Sequence, residues 1–98
     1  MLDISGAGEV AFAHTVADDA DDLLWDAEAG MVYVSGGGNA TSPGSISVFS
    51  GAAKAWSYLG AVSPAGKNSW LSKGRRTIFT TVPAANGNDA YIQLYLTH

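Results

Sequence analysis

The chain encodes the same pattern twice. Sliding the 98-residue sequence against itself by 46 positions lays almost every apolar segment on another. A period of that length marks architectures built by stacking copies of one supersecondary unit, none of which buries its apolar face alone. Leu24-Trp25 falls on Trp70-Leu71, Val32-Tyr33-Val34-Ser35 on Ile78-Phe79-Thr80-Thr81, and Ile46-Ser47-Val48-Phe49 on Ile92-Gln93-Leu94-Tyr95. The stretch 10–17 falls on 56–63. The two copies, approximately 10–55 and 56–98, leave no room for a linker, so residues 1–98 are expected to form one domain. Each matched segment is short, rich in β-branched and aromatic residues and bounded by Gly, Pro, Asn, Asp or Ser, which is strand and not helix chemistry. Eight strands are predicted, at about 10–16, 23–26, 31–35, 45–49, 56–62, 69–72, 77–82 and 91–96. The connectors at 27–30, 36–44, 51–55, 73–76 and 86–89 hold residues that tolerate hairpin turns. Asp21 and Asp22 would suit a helix start, but Gly30 and the matching strand at 69–72 argue against one.

Composition narrows the partners. With 47% hydrophobic and 14% charged residues the chain has the balance of a folded domain, not of a disordered tail. Five Lys+Arg against nine Asp+Glu give a net charge of −4, so nucleic acid and anionic membrane surfaces are disfavoured as partners. No apolar run is long enough to span a bilayer, and Met1-Leu2-Asp3-Ile4-Ser5 lacks the features of a signal peptide, so no export address is expected here. Without cysteine there is neither a disulfide framework nor a thiolate metal site, and redox compartment is not specified.

Four short strands in each period of about 40 to 50 residues describe a β-propeller blade. If residue 23 begins an innermost strand, the chain runs as an outer strand, a complete four-stranded blade and three strands of a second blade. The outer strand missing from the second blade is then the one at the amino end. The stretches Asp22-Leu23-Leu24-Trp25-Asp26, Met31-Val32-Tyr33-Val34-Ser35-Gly36 and Gly44-Ser45-Ile46-Ser47-Val48-Phe49 resemble the YVTN-repeat, or YncE-like, β-propeller family. In that family a blade reads as an apolar pair, a turn, L-Y-V-T-N, a polar loop and V-S-V-I-D. The resemblance covers about residues 9–96, with Ser35-Gly36 in place of Thr-Asn and Thr80-Thr81-Val82 in the second copy. It implies two antiparallel blades of an all-β ring that is usually seven-bladed and often extracytoplasmic. The roles it implies range from ligand or partner binding to DNA binding and, in related propellers, lactone hydrolysis.

Two blades cannot close a ring, since propellers need about four to eight. The unit would present an apolar face at each end and an unpaired strand edge, both of which favour association. Either identical copies complete the ring, with three favoured and seven blades forbidden by arithmetic, or the other blades belong to a longer chain. The strand at 10–16 would then pair with 91–96 of its own chain or of a neighbour. Shifting by 46 also sets the acidic turn at Glu28 on Lys73-Gly74-Arg75-Arg76, so charge would alternate around a ring. Burial of Trp25, Trp56, Trp70, Phe12, Phe49, Tyr58 and Tyr95 is expected to dominate its energetics, at roughly 1.5–3 kcal/mol for each large side chain.

Asp18, Asp19, Asp21 and Asp22 form the densest charge cluster, just before an innermost strand and so at a channel mouth, where Lys67 and Asn68 would join them as ligand-contact candidates. A solvated turn paired with Lys67 or with neighbouring backbone is the expected role. Asp19, Asp21 and Asp22 are the residues that would hold Ca²⁺ if any do, though their spacing is not that of a calcium loop. The Gly36–Gly44 run lacks a Gly-Lys-Ser/Thr ending and joins two strands, so a flexible hairpin is expected and not a phosphate cradle. Lys73, Arg75 and Arg76 read as a solvated hairpin tip. His14, in register with Phe12 and Val16, is expected to be buried and hydrogen-bonded. No Gly-x-Ser-x-Gly elbow accompanies it, and no catalytic residue is assigned.

These readings point to a non-enzymatic binding or scaffold module, without a required cofactor, that works as an assembled ring and takes a small-molecule or protein ligand of unspecified identity. Two alternatives stand beside it. One is a lactonase-like, metal-dependent hydrolase using channel carboxylates. The other is a carbohydrate-binding lectin using Trp25, Trp56 and Trp70, whose expected role is otherwise core.

Overall fold

A computed structural model describes residues 12–51, 55–85 and 87–97. They form seven strands in two antiparallel sheets, with no helix among them and hence none long and apolar enough to cross a membrane. The first sheet holds β1 (Ala20–Asp26), β2 (Met31–Gly38), β3 (Pro43–Ser50) and β4 (Ser57–Val62) in chain order. The second holds β5 (Ser69–Ser72), β6 (Thr77–Val82) and β7 (Tyr91–Leu96), also in chain order. Three of these strands have the bounds expected from the sequence, and the others differ by one to three residues at an end.

The 46-residue repeat is written into the strand pairing. Leu23 opposes Val34 in the first sheet and Ser69 opposes Thr80 in the second, while Tyr33 opposes Val48 as Phe79 opposes Leu94. The hairpins match too. Gly30 closes the β1–β2 turn at φ 67° and Arg76 closes the β5–β6 turn at φ 51°. In the first of these Asp26 Oδ1 accepts the Ala29 N–H at 3.3 Å, the local bond that favours aspartate in turns.

Because side chains alternate across a sheet, each sheet has two faces, and one of each is used. The first sheet packs the face carrying Leu24, Tyr33, Ile46 and Val48 against the face of the second that carries Leu71, Ile78 and Tyr95. Ile46 is 0% exposed at the centre of this contact. The opposite faces meet no second sheet, though Phe12 and His14 lie across part of the first sheet's and help bury Phe49. Trp25 is 47% exposed on one and Trp70 is 70% exposed on the other, and Trp56 also remains exposed, so these tryptophans are not core within a single chain. Tyr58 and Phe12 are likewise exposed, whereas Phe49 is buried and Tyr95 partly so. Two layers can cover only one side of each other, and five of these seven aromatics stay exposed. The chain is accordingly flat and long, 50 × 31 × 19 Å with a radius of gyration of 14.5 Å, against roughly 13 Å for a compact domain of this length.

The expected outer strand at 10–16 differs most from the structure. Positions 10 and 11 lie outside the described residues, and 12–17 form no strand. Phe12 and His14 rest on the bare face of the first sheet, with Phe12 edge-on to Phe49 at 5.9 Å and His14 stacked on Tyr58 at 4.1 Å. The second sheet lies on the other side of the first, so this segment is separated from β7 of its own chain by a whole layer. His14 is exposed, and its Nδ1 lies 2.7 Å from the neighbouring Thr15 carbonyl oxygen, so the expectation of a buried histidine does not hold.

Candidate functional site

The candidate residues gather at one end of the two sheets, where the β4–β5 connection crosses from one layer to the other. Asp18 and Asp19 run beside the end of β2: the N–H groups of Gly37 and Gly38 donate to the carbonyls of Asp19 and Asp18 at 3.1 and 2.8 Å. The glycines expected to form a loose hairpin are therefore strand through Gly38, and the turn itself is ordered around Asn39. Its Oδ1 accepts from the N–H groups of Thr41 and Ser42, each at 2.8 Å, and from the Thr41 hydroxyl at 3.0 Å. Asn39 Nδ2 in turn donates to Asp18 Oδ2 at 2.5 Å.

Each acidic side chain has its own surroundings. Asp22 Oδ2 accepts the Ser69 N–H at 2.6 Å and so ties the first residue of β5 to β1. Asp19, held at φ 58°, and Lys67 both approach Gly37. Asp21 falls at the register shift in β1, exposed to solvent. The Asn68 carbonyl accepts from the Thr81 N–H and the Thr80 hydroxyl, both at 3.3 Å, while its side chain is exposed. The structure thus places Asp18, Asp19, Asp22, Lys67 and Asn68 around one rim, but Asp18 and Asp22 are hydrogen-bonded to the fold. Among the described residues no three Asp, Glu or His side chains converge closely enough to hold a metal ion.

Beneath the rim lies a buried polar seam. Ser35 donates its hydroxyl to the Gly66 carbonyl, Ser69 donates to Ser35 Oγ at 2.7 Å, and the Gly66 N–H donates to Thr80 Oγ1 at 3.0 Å. No buried side-chain polar atom among the described residues lacks a partner. A seam satisfied in this way specifies how two apolar layers align, because sliding them would strand hydroxyls in a dry interior. The sequence signal for it was a small hydroxyl at an inward position of an otherwise apolar strand, at Ser35, Ser69 and Thr80.

A second feature is an open groove of about 240 Å³ between β1 and β5, lined by Leu23, Leu24, Trp25, Trp70, Leu71 and Lys73. Lys73 is its one charged side chain, and carboxylates and amides of the kind that bind sugar hydroxyls are absent from its lining. Trp56 stands beside Trp25 with ring centroids 6.4 Å apart.

Burial raises the Tyr33 hydroxyl above its ordinary range, Asp26 adding to the rise and a hydrogen bond with Thr97 opposing it; burial also raises Tyr95, with Tyr91 adding. The unfolded chain therefore loses these protons first as pH rises. Stability is full below about pH 10 and falls above it, since there the unfolded state binds fewer protons than the folded one. Tyr33→Phe should flatten this alkaline loss, read as the urea midpoint across the pH range. An alkaline limb as steep as that of the parent would contradict it.

No family model, curated protein or solved structure matches this chain.

Proposed function

We propose that the chain is a two-blade, propeller-type segment that works after assembly, three copies closing a ring that serves as a non-catalytic binding or scaffold module. The supporting observation is that two sheets of the same pairing register stack face to face and leave an apolar face bare at each end. A unit that buries one of two equivalent faces is unfinished, and more of the same unit would finish it. The resemblance of 22–26, 31–36 and 44–49 to YVTN-type blades points the same way. In this reading β1 and β5, which lie side by side, are inner strands, and the rim of Asp18, Asp19, Asp21, Asp22, Lys67 and Asn68 surrounds the channel mouth where a ligand would be met. The rim carboxylates that hydrogen-bond the fold fit a structural role better than a hydrolytic one. Light scattering across a concentration series tests the proposal: a mass of three chains is expected, and a soluble monomer throughout would overturn it.

A further inference from the structure

We infer that the bare face of the second sheet docks on the bare face of the first sheet of another copy, in a head-to-tail contact that repeats between chains the one already made within each. This rests on the proposed assembly and names its surfaces and partner. Inside the chain, Leu24, Tyr33, Ile46 and Val48 meet Leu71, Ile78 and Tyr95. Forty-six residues beyond the first set stand Trp70, Phe79, Ile92 and Leu94, which share the bare face of the second sheet. Forty-six residues before the other set stand Trp25, Val32 and Phe49, on the outer face of the first, Phe49 there being covered by Phe12 and His14 of its own chain. Both bare faces are therefore repeat-equivalents of faces that demonstrably fit one another, and every one of these seven positions is apolar.

The polar seam has counterparts as well. Asn68 stands where Asp22 stands and keeps a side-chain acceptor for the second copy's Leu23 N–H, the counterpart of Ser69. Thr81 stands where Ser35 stands and keeps a hydroxyl for the second copy's Ala20 carbonyl, the counterpart of Gly66. The turn bearing Lys73, Arg75 and Arg76 would neighbour the second copy's turn bearing Asp26 and Glu28, opposite in sign.

The amino-terminal segment completes the case. Residues 12–17 are the repeat-equivalents of 58–63, in and beside the outermost strand of the first sheet, and they lie on the bare face where the incoming sheet would sit. They are placed to become the missing fourth strand of that incoming sheet, pairing with β7 of the copy that supplies it, whose outer edge carries no strand among the described residues. A contact between two different faces is heterologous and forms a ring where its rotation closes.

Two variants, each charged on one bare face at an exposed position, test this: Leu23→Glu on the first sheet and Leu94→Glu on the second. Each alone should be a folded monomer by circular dichroism and light scattering. Mixed one to one they should form a species of two chains, because each supplies the face the other lacks and spoiled faces cap both ends. Either variant assembling like the parent, either forming a dimer alone, or a mixture that stays monomeric would overturn the inference while an assembled parent keeps the proposed function. A monomeric parent would overturn both. If a glutamate variant fails to fold, chains carrying Trp25→Cys and Trp70→Cys replace it, since the parent has no cysteine. Oxidising their mixture should link the unlike chains, and links between like chains only would refute the contact.

Discussion

Replacing Gly66 by alanine should destabilise the fold by about 3 kcal/mol or more, at the upper end of what overpacking costs. Gly66 is buried in the connection between the sheets, and a Cβ there would overlap the carbonyl oxygen of Thr81 in β6. That obstacle is backbone, fixed by the Thr81–Asn68 hydrogen bond, and cannot swing aside as a side chain would. Moving the connection instead would break two bonds of the seam, from Ser35 to the Gly66 carbonyl and from the Gly66 N–H to Thr80. Gly44 faces the same connection, and a Cβ on it would overlap the Ala65 carbonyl oxygen. Urea denaturation followed by tryptophan fluorescence should show a much lower midpoint for Gly66→Ala, and a midpoint like the parent's would mean that the sheets are not held at this crossing.

Ile46→Ala should cost about 2–5 kcal/mol, the range for emptying a well-packed aliphatic site. Ile46 is 0% exposed, between Tyr33, Ala65 and Ile78. Its repeat-equivalent Ile92 is 65% exposed in the single chain, so Ile92→Ala should cost less than about 0.5 kcal/mol when copies are dissociated. The pair is informative because the residue and repeat position are the same and only burial differs. Equal costs in dilute solution would mean that the second sheet's outer face is covered within the chain. A cost for Ile92→Ala that grows with protein concentration is what docking between copies requires.

Much of the fold was legible because its signals are local. Turn chemistry at 27–30 and 73–76 and β-branched runs between turns located β5, β6 and β7 at their bounds, and the hairpin ends of β1 and β2, since hairpin closure depends on a few neighbouring residues. The candidate rim was legible as a cluster, because residues just before consecutive inner strands must come near one another when those strands lie side by side. What each rim residue does was not. That Asp22 bonds the Ser69 amide depends on a residue 47 positions away that no spacing rule connects to it. His14 misled for a related reason. Alternation set it in register with Phe12 and Val16, but a register is a statement about a strand, and residues 12–17 have no partner strand among the described residues.

The sequence alone determined that there are two like units and where their seven described strands lie to within three residues at either end, because periodicity and turn residues act over a few positions. Tertiary structure decided which faces meet. With both faces of each sheet apolar, alternation does not say which is covered, and the choice fell to the fit of Ile46 against Ile78 and to hydroxyls that must find partners across the seam. It also left Trp25 and Trp70 bare and set residues 12–17 on the far side of the first sheet. Burial is a property of pairs of surfaces, and no single segment carries it.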